Sequence, residues 1–78
     1  MTNVYKCVAC IIAKNSGIQE SMLTRKTRLD NLGMKVIDAL KELESYFQIY
    51  IGMDGLYGCK TINDLVVLCE EKLNTIKR

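Results

Sequence analysis

Histidine, proline and tryptophan are absent from the 78 residues, and there is a single phenylalanine. The missing imidazole removes the usual general base at neutral pH and the commonest metal ligand. Charge of one sign is also in short supply. Eleven Lys and Arg stand against nine Asp and Glu, a net of +2, too even for a nucleic-acid-binding face or an acidic tail. Long apolar runs are missing as well. The longest early one, Cys7 to Ala13, follows Lys6 directly. It is shorter and differently flanked than a secretory h-region and far below the ~20 residues of a membrane span. No catalytic constellation is visible. These absences predict a protein that is not an enzyme, is cytoplasmic, and has neither nucleic acid nor membrane as partner.

What is present is a chain of one-domain length, residues 1–78, of which 49% are apolar. That is enough for a single modest core with little surplus for a deep cleft. Cys7, Cys10, Cys59 and Cys69 give an even cysteine count. Cys7-Val8-Ala9-Cys10 reads C-x-x-C, but it falls inside a helical pattern rather than at a strand-to-helix junction, where a redox pair is expected. The gap from Cys59 to Cys69 fits no compact zinc-ligand spacing. The thiols are therefore expected to be reduced and to act as small apolar residues, with no metal site.

Apolar residues recur at helical spacing in three places. Val4, Cys7, Val8, Ile11 and Ile12 share one face, with Thr2 or Asn3 available as N-cap and Gly17 suited to the left-handed position after the end. Gln19 to Leu23 suggest a short turn, and Thr24 to Gly33 a polar connection with Leu29 and Leu32 dipping inward. A second helix is predicted after Gly33, burying Val36, Ile37, Leu40, Leu43 and Phe47. Ile49 and Ile51 alternate with polar neighbours in a short extended stretch. Gly52, Gly55 and Gly58 then limit any helix around Asp54 to Tyr57 to one turn. Thr61-Ile62-Asn63-Asp64 carries the S/T-x-x-D/E signature of a helix start. From there Ile62, Leu65, Val66, Cys69, Leu73 and Ile76 keep the period, and Lys72, Lys77 and Arg78 complement the helix dipole near its end. The expected fold is an all-α bundle of three main helices and one short third helix, with a long loop between the first and second.

Several of these residues also fall into motifs. Leu43-Glu44-Ser45-Tyr46-Phe47-Gln48-Ile49-Tyr50-Ile51 resembles the L-E-x-x-F-x-x-x-I of the acyl carrier protein family, which includes peptidyl and polyketide carrier domains. Thr61 to Val66 resembles that family's T-V-x-D-L-V, and the spacing between the two segments needs no gap. Upstream, Leu23-Thr24, Thr27-Arg28-Leu29 and Leu32-Gly33 resemble the loop leading into L-G-x-D-S-L. The resemblance implies a carrier of acyl chains in fatty-acid, polyketide or peptide synthesis. It also implies protein partners among the enzymes of such synthesis, and a monomer.

The family's central motif is missing. In carriers the Ser of D-S-L opens the second helix and bears a 4′-phosphopantetheine arm, where the helix N-terminus favours a phosphodiester. Here Leu32-Gly33-Met34 runs directly into Lys35-Val36-Ile37-Asp38. Inserting three residues after Met34 restores the family spacing, so the attachment Ser is expected near Met34-Lys35, and neither residue is a Ser. A rival alignment sets Asp30-Asn31-Leu32 on D-S-L, with Asn31 in place of Ser and the second helix beginning before Leu32. An amide cannot take the arm either. The leading expectation is an unmodified, interaction-type homologue with no cofactor. The alternative is a small helical oligomerisation or adaptor module unrelated to acyl transfer.

On the predicted surface, Asp38, Glu42 and Glu44 of the second helix are candidates for a partner-binding face, since carriers present acids there. The competing reading is a solvated face on which Lys35 and Lys41 pair with Asp38 and Glu44. Arg25, Lys26 and Arg28 form a basic cluster expected to be solvated rather than to hold phosphate. Tyr46, Tyr50 and Tyr57 are expected to pack half-buried, or else to line an acyl crevice. Met22, Met34 and Met53 are expected to fill gaps in the core.

Overall fold

In the computed structural model, residues 3–76 are described, with side chains to residue 74. Thr2, Lys77 and Arg78 lie outside the described residues, as does the side chain of Ile76. Four helices are present: α1 (Val4–Ser16), α2 (Lys35–Phe47), α3 (Gly52–Tyr57) and α4 (Ile62–Ile76). The loop between α1 and α2 contains two 3-10 turns, Glu20–Met22 and Leu29–Leu32.

The boundaries have local chemical causes. The Asn3 side chain accepts from the Lys6 amide at the start of α1, satisfying one of the free N–H groups that every helix start exposes. Gly17, at φ 79°, closes its end by donating to Ala13, a left-handed geometry that costs glycine little. At α4 the capping is reciprocal. The Asp64 carboxylate accepts from the Lys60 and Thr61 amides at 2.9 and 3.2 Å, while the Asp64 amide donates to Thr61 Oγ1 at 3.3 Å, as in a capping box. These bonds hold the Asp64 carboxyl below its ordinary range.

α1 packs against α2 and α4. The core between them contains Val8, Ile12, Leu40, Leu43, Ile62, Leu65, Val66 and Cys69. The Leu29 and Leu32 side chains of the second 3-10 turn are buried as expected, as are Ile49 and Ile51 after α2. Ala9 and Ala39 are also buried; as small residues they let neighbouring helices approach closely. The long loop is tied to the start of α4 by backbone. Leu29 N donates to Lys60 O, Ile62 N to Thr27 O and Asn63 N to Arg25 O, each at 2.9 Å, around an isolated antiparallel bridge between Arg28 and Thr61.

Two expectations need correction. The third helix is longer than a single turn at Asp54 to Tyr57, because it opens at Gly52 on a capping side chain that belongs to α2 (Glu44, below). The tyrosines and methionines are not packed as expected. Tyr46 is 60%, Tyr50 77% and Tyr57 75% exposed, and Met22 and Met34 are 70% and 78% exposed. Branched aliphatic residues and Leu already fill the core. These larger side chains sit on exposed faces or at the ends of elements, where the chain leaves that core.

Candidate functional site

The start of α2 is where the resemblance places the family's chemistry. Met34 is the N-cap residue and makes no side-chain capping bond. The first amides of the helix make turn bonds, Val36 N to Gly33 O at a long 3.4 Å and Ile37 N to Met34 O at 3.1 Å. No hydroxyl stands at this position. The loop's two threonine hydroxyls are engaged elsewhere: Thr24 N donates to Thr27 Oγ1, and Lys26 N to Thr24 Oγ1. Ser16 ends α1, Ser21 lies in the first 3-10 turn, and Ser45 lies toward the far end of α2. Asn31 is an exposed residue of the second 3-10 turn, and α2 begins after Leu32. The residues present do not fit a phosphopantetheine arm, which needs an alcohol oxygen for its phosphodiester.

Beside this helix start a groove of about 440 Å³ runs between the second 3-10 turn, α2 and α3. Leu29, Val36, Ile37 and Leu56 form its walls, with Met34, Met53 and Tyr57 also on the lining. All three of the latter are exposed. Contiguous exposed apolar surface of this kind marks contact sites more often than scattered single residues do. Arg28 and Asp30, which line the same groove, pair with each other at 3.1 Å. The Arg28 guanidinium holds the Asp30 carboxyl below its ordinary range.

The three acids read from sequence have different environments. Asp38 is exposed and makes no hydrogen bond or ion pair among the described residues. Glu42 is turned toward α1, accepting from Lys14 Nζ at 2.9 Å and from Asn15 Nδ2 at 3.1 Å. Those donors, Lys14 first, hold its carboxyl below the ordinary range. Glu44 is half-buried, and its Oε2 accepts from both the Ile51 and Gly52 amides at 2.8 Å. It thereby caps the start of α3, where Gly52 at φ 74° takes the left-handed turn. The local pairs of Lys35 with Asp38 and of Lys41 with Glu44 do not form. A carboxylate offered two backbone donors in a half-buried site gains more there than from one solvated ammonium.

The basic cluster is exposed, as expected, and two of its members make surface contacts. Arg25 donates to Asn63 Oδ1 at 2.7 Å and lies 4.9 Å from the Tyr5 ring centroid, while Arg28 is held by Asp30. All four cysteines are free thiols. Cys69 is in the core, where burial pushes its thiol up to about 12. Cys59 is half-buried and donates to Gly55 O; burial raises its thiol too. Cys10 departs from the apolar reading, since it is exposed. Sequence reasoning missed the clamp made by Glu44, whose partners lie seven and eight residues on. It offered Tyr57 as a crevice residue but placed Met34 in the core, so the groove beside α2 was only partly anticipated.

No family model matches the chain. Among curated proteins, it is 30% identical over 74 residues to the acyl carrier protein of Thermotoga maritima, covering 90% of this chain and 91% of that protein. It is 29% identical over 65 residues to an acyl carrier protein homolog of Mycoplasmopsis pulmonis, covering 80% of this chain and 89% of the relative. The helix order, the long tethered first loop and these end-to-end similarities lead to one assignment: the chain belongs to the acyl carrier protein family.

Proposed function

We propose that this protein is an unmodified member of the carrier family that acts by binding other proteins rather than by bearing an acyl arm. The observation that carries the reading is the start of α2. A Gly33-Met34-Lys35 junction stands there without a hydroxyl, and the chain's serines lie on other elements. Its partners are enzymes of acyl-chain or peptide synthesis, and it works as a cytoplasmic monomer. The groove beside α2, with Met34, Met53 and Tyr57 exposed along it, is the contact surface. Asp38 adds a free carboxylate one turn along the same helix. Glu42 and Glu44 support that surface indirectly, because their carboxylates already hold α1 and α3 in place.

The test is incubation with coenzyme A and a broad-specificity phosphopantetheinyl transferase, followed by intact-mass measurement. The native chain is expected to keep its mass, whereas a variant with Asp-Ser-Leu inserted after Met34 is expected to gain one arm. A stable one-arm increase on the native chain would overturn the proposal.

A further inference from the structure

A second groove, of about 400 Å³, lies on the opposite side of α2 from the carrier-type chemistry, along its contact with α1. Cys7 and Cys10 both line it, together with Ile11 and Tyr46. Residues three apart share a helix face, and the helical rise and radius set their Cα atoms about 5 Å apart. Cys10 is exposed and Cys7 half-exposed. Cys7 Sγ donates to the Tyr46 hydroxyl at 3.7 Å, and both thiols act electrostatically on that phenol. Of the four cysteines, only this pair opens on solvent from one face.

Simple oxidation suits the spacing poorly. Side chains three apart on a helix hold their Cβ atoms about 5–6 Å apart, whereas a disulfide needs about 3.8 Å. A metal ion between two sulfurs relaxes this demand. At a metal–sulfur bond of about 2.3 Å, a linear S–metal–S unit separates the sulfurs by roughly 4.6 Å. Zinc takes four ligands, and among the described residues no group of three Cys, Asp or Glu gathers to supply them. An ion satisfied by two soft thiolates is monovalent copper. The charged lining, Lys6 and Lys14 with Glu20 and Glu42, is balanced in sign, so selection rests on the sulfurs.

We infer that Cys7 and Cys10 form a two-thiolate binding site for Cu(I) in the groove between α1 and α2. On binding, two S–H bonds break, two copper–sulfur bonds form and two protons pass to solvent. The copper stays monovalent, so no oxidant or reductant takes part. With Cys7 deprotonated, its bond to Tyr46 reverses, and the phenol O–H donates to the thiolate. Tyr46 is thus a positioning residue that orients a ligand, as outer-shell donors do at metal sites.

The test is an anaerobic titration of the full chain against Cu(I) held by a chromophoric bicinchoninate chelator, with far-UV circular dichroism confirming that each variant is folded. The native chain is expected to withdraw one equivalent of copper. Cys7→Ser and Cys10→Ser are each expected to lose that withdrawal, and Cys59→Ser to retain it. Tyr46→Phe is expected to weaken binding about tenfold while keeping the stoichiometry. Failure of the native chain to compete, or undiminished competition by folded Cys7→Ser and Cys10→Ser, would overturn the site. The outcome is independent of whether the chain accepts a phosphopantetheine arm.

Discussion

The two ends of α2 are built differently. At its far end Leu43 is fully buried, Gln48 closes the helix in a left-handed turn at φ 56°, and Glu44 reaches past that turn to hold the next helix. At its near end Met34 caps nothing, Val36 N reaches Gly33 O only at 3.4 Å, and the side chains beside it face a groove. Packing and capping are concentrated where the family needs only structure. They are thin at the near end, where Met34 makes no side-chain capping bond. The helix therefore has a fixed end and an adaptable one.

This contrast predicts how substitutions rank. Leu43→Ala removes a fully buried side chain at the fixed end and is expected to cost about 2–5 kcal/mol, read from the urea midpoint. Glu44→Ala comes next, at about 1–3 kcal/mol, because two half-buried backbone donors lose their acceptor. Its signature is local: amide hydrogen exchange should accelerate at Ile51 and Gly52 before it does so in α1 or α4. Uniform acceleration would mean that the far end of α2 is not a separate clamp.

Much of this fold is legible in the sequence, because helix starts and stops depend on near neighbours. Asn3, Gly17 and Thr61-Ile62-Asn63-Asp64 announce their caps within four residues, and the 3.6-residue period names most of the core. The clamp was not legible. Glu44 sits three residues from Lys41, so local spacing favours an ion pair, and only the folded return of the chain brings Ile51 and Gly52 to it. Of the groove beside the start of α2, only Tyr57 was legible in the sequence, as one of the tyrosines offered for a crevice. Met34 reads as core filling until three elements are seen to leave it outside.

A third substitution tests whether α4, held by reciprocal capping, behaves like the fixed end. Thr61→Ala is expected to cost about 1 kcal/mol. The Asp64 half of that cap adds a pH dependence. Its folded value lies below the ordinary 3.8, so its contribution is complete above that value and is lost as pH falls through the lowered one. Asp64→Asn should flatten this acid limb of the stability profile. The smallest effect belongs to the open end, where Met34→Ala is expected to change stability by no more than about 0.5 kcal/mol. A larger loss would show that the exposed Met34 supports the fold, and the two ends of α2 would then differ less than their geometry indicates.

The bridge between Arg28 and Thr61 has a consequence for how such a chain could diverge. The crossing from α1 to α2 is moored near its midpoint to the entrance of α4 by main-chain bonds that do not depend on side-chain identity. Residues 25–29 are held by these bonds to the entrance of α4, whereas the segment from Asp30 to Lys35 lies downstream of them. A segment isolated in this way can gain or lose residues and leave the rest of the molecule in register. The tether thus separates the entrance of α2 from the bundle that stays folded around it, since its bonds lie upstream of Asp30 and run to α4 rather than to α2.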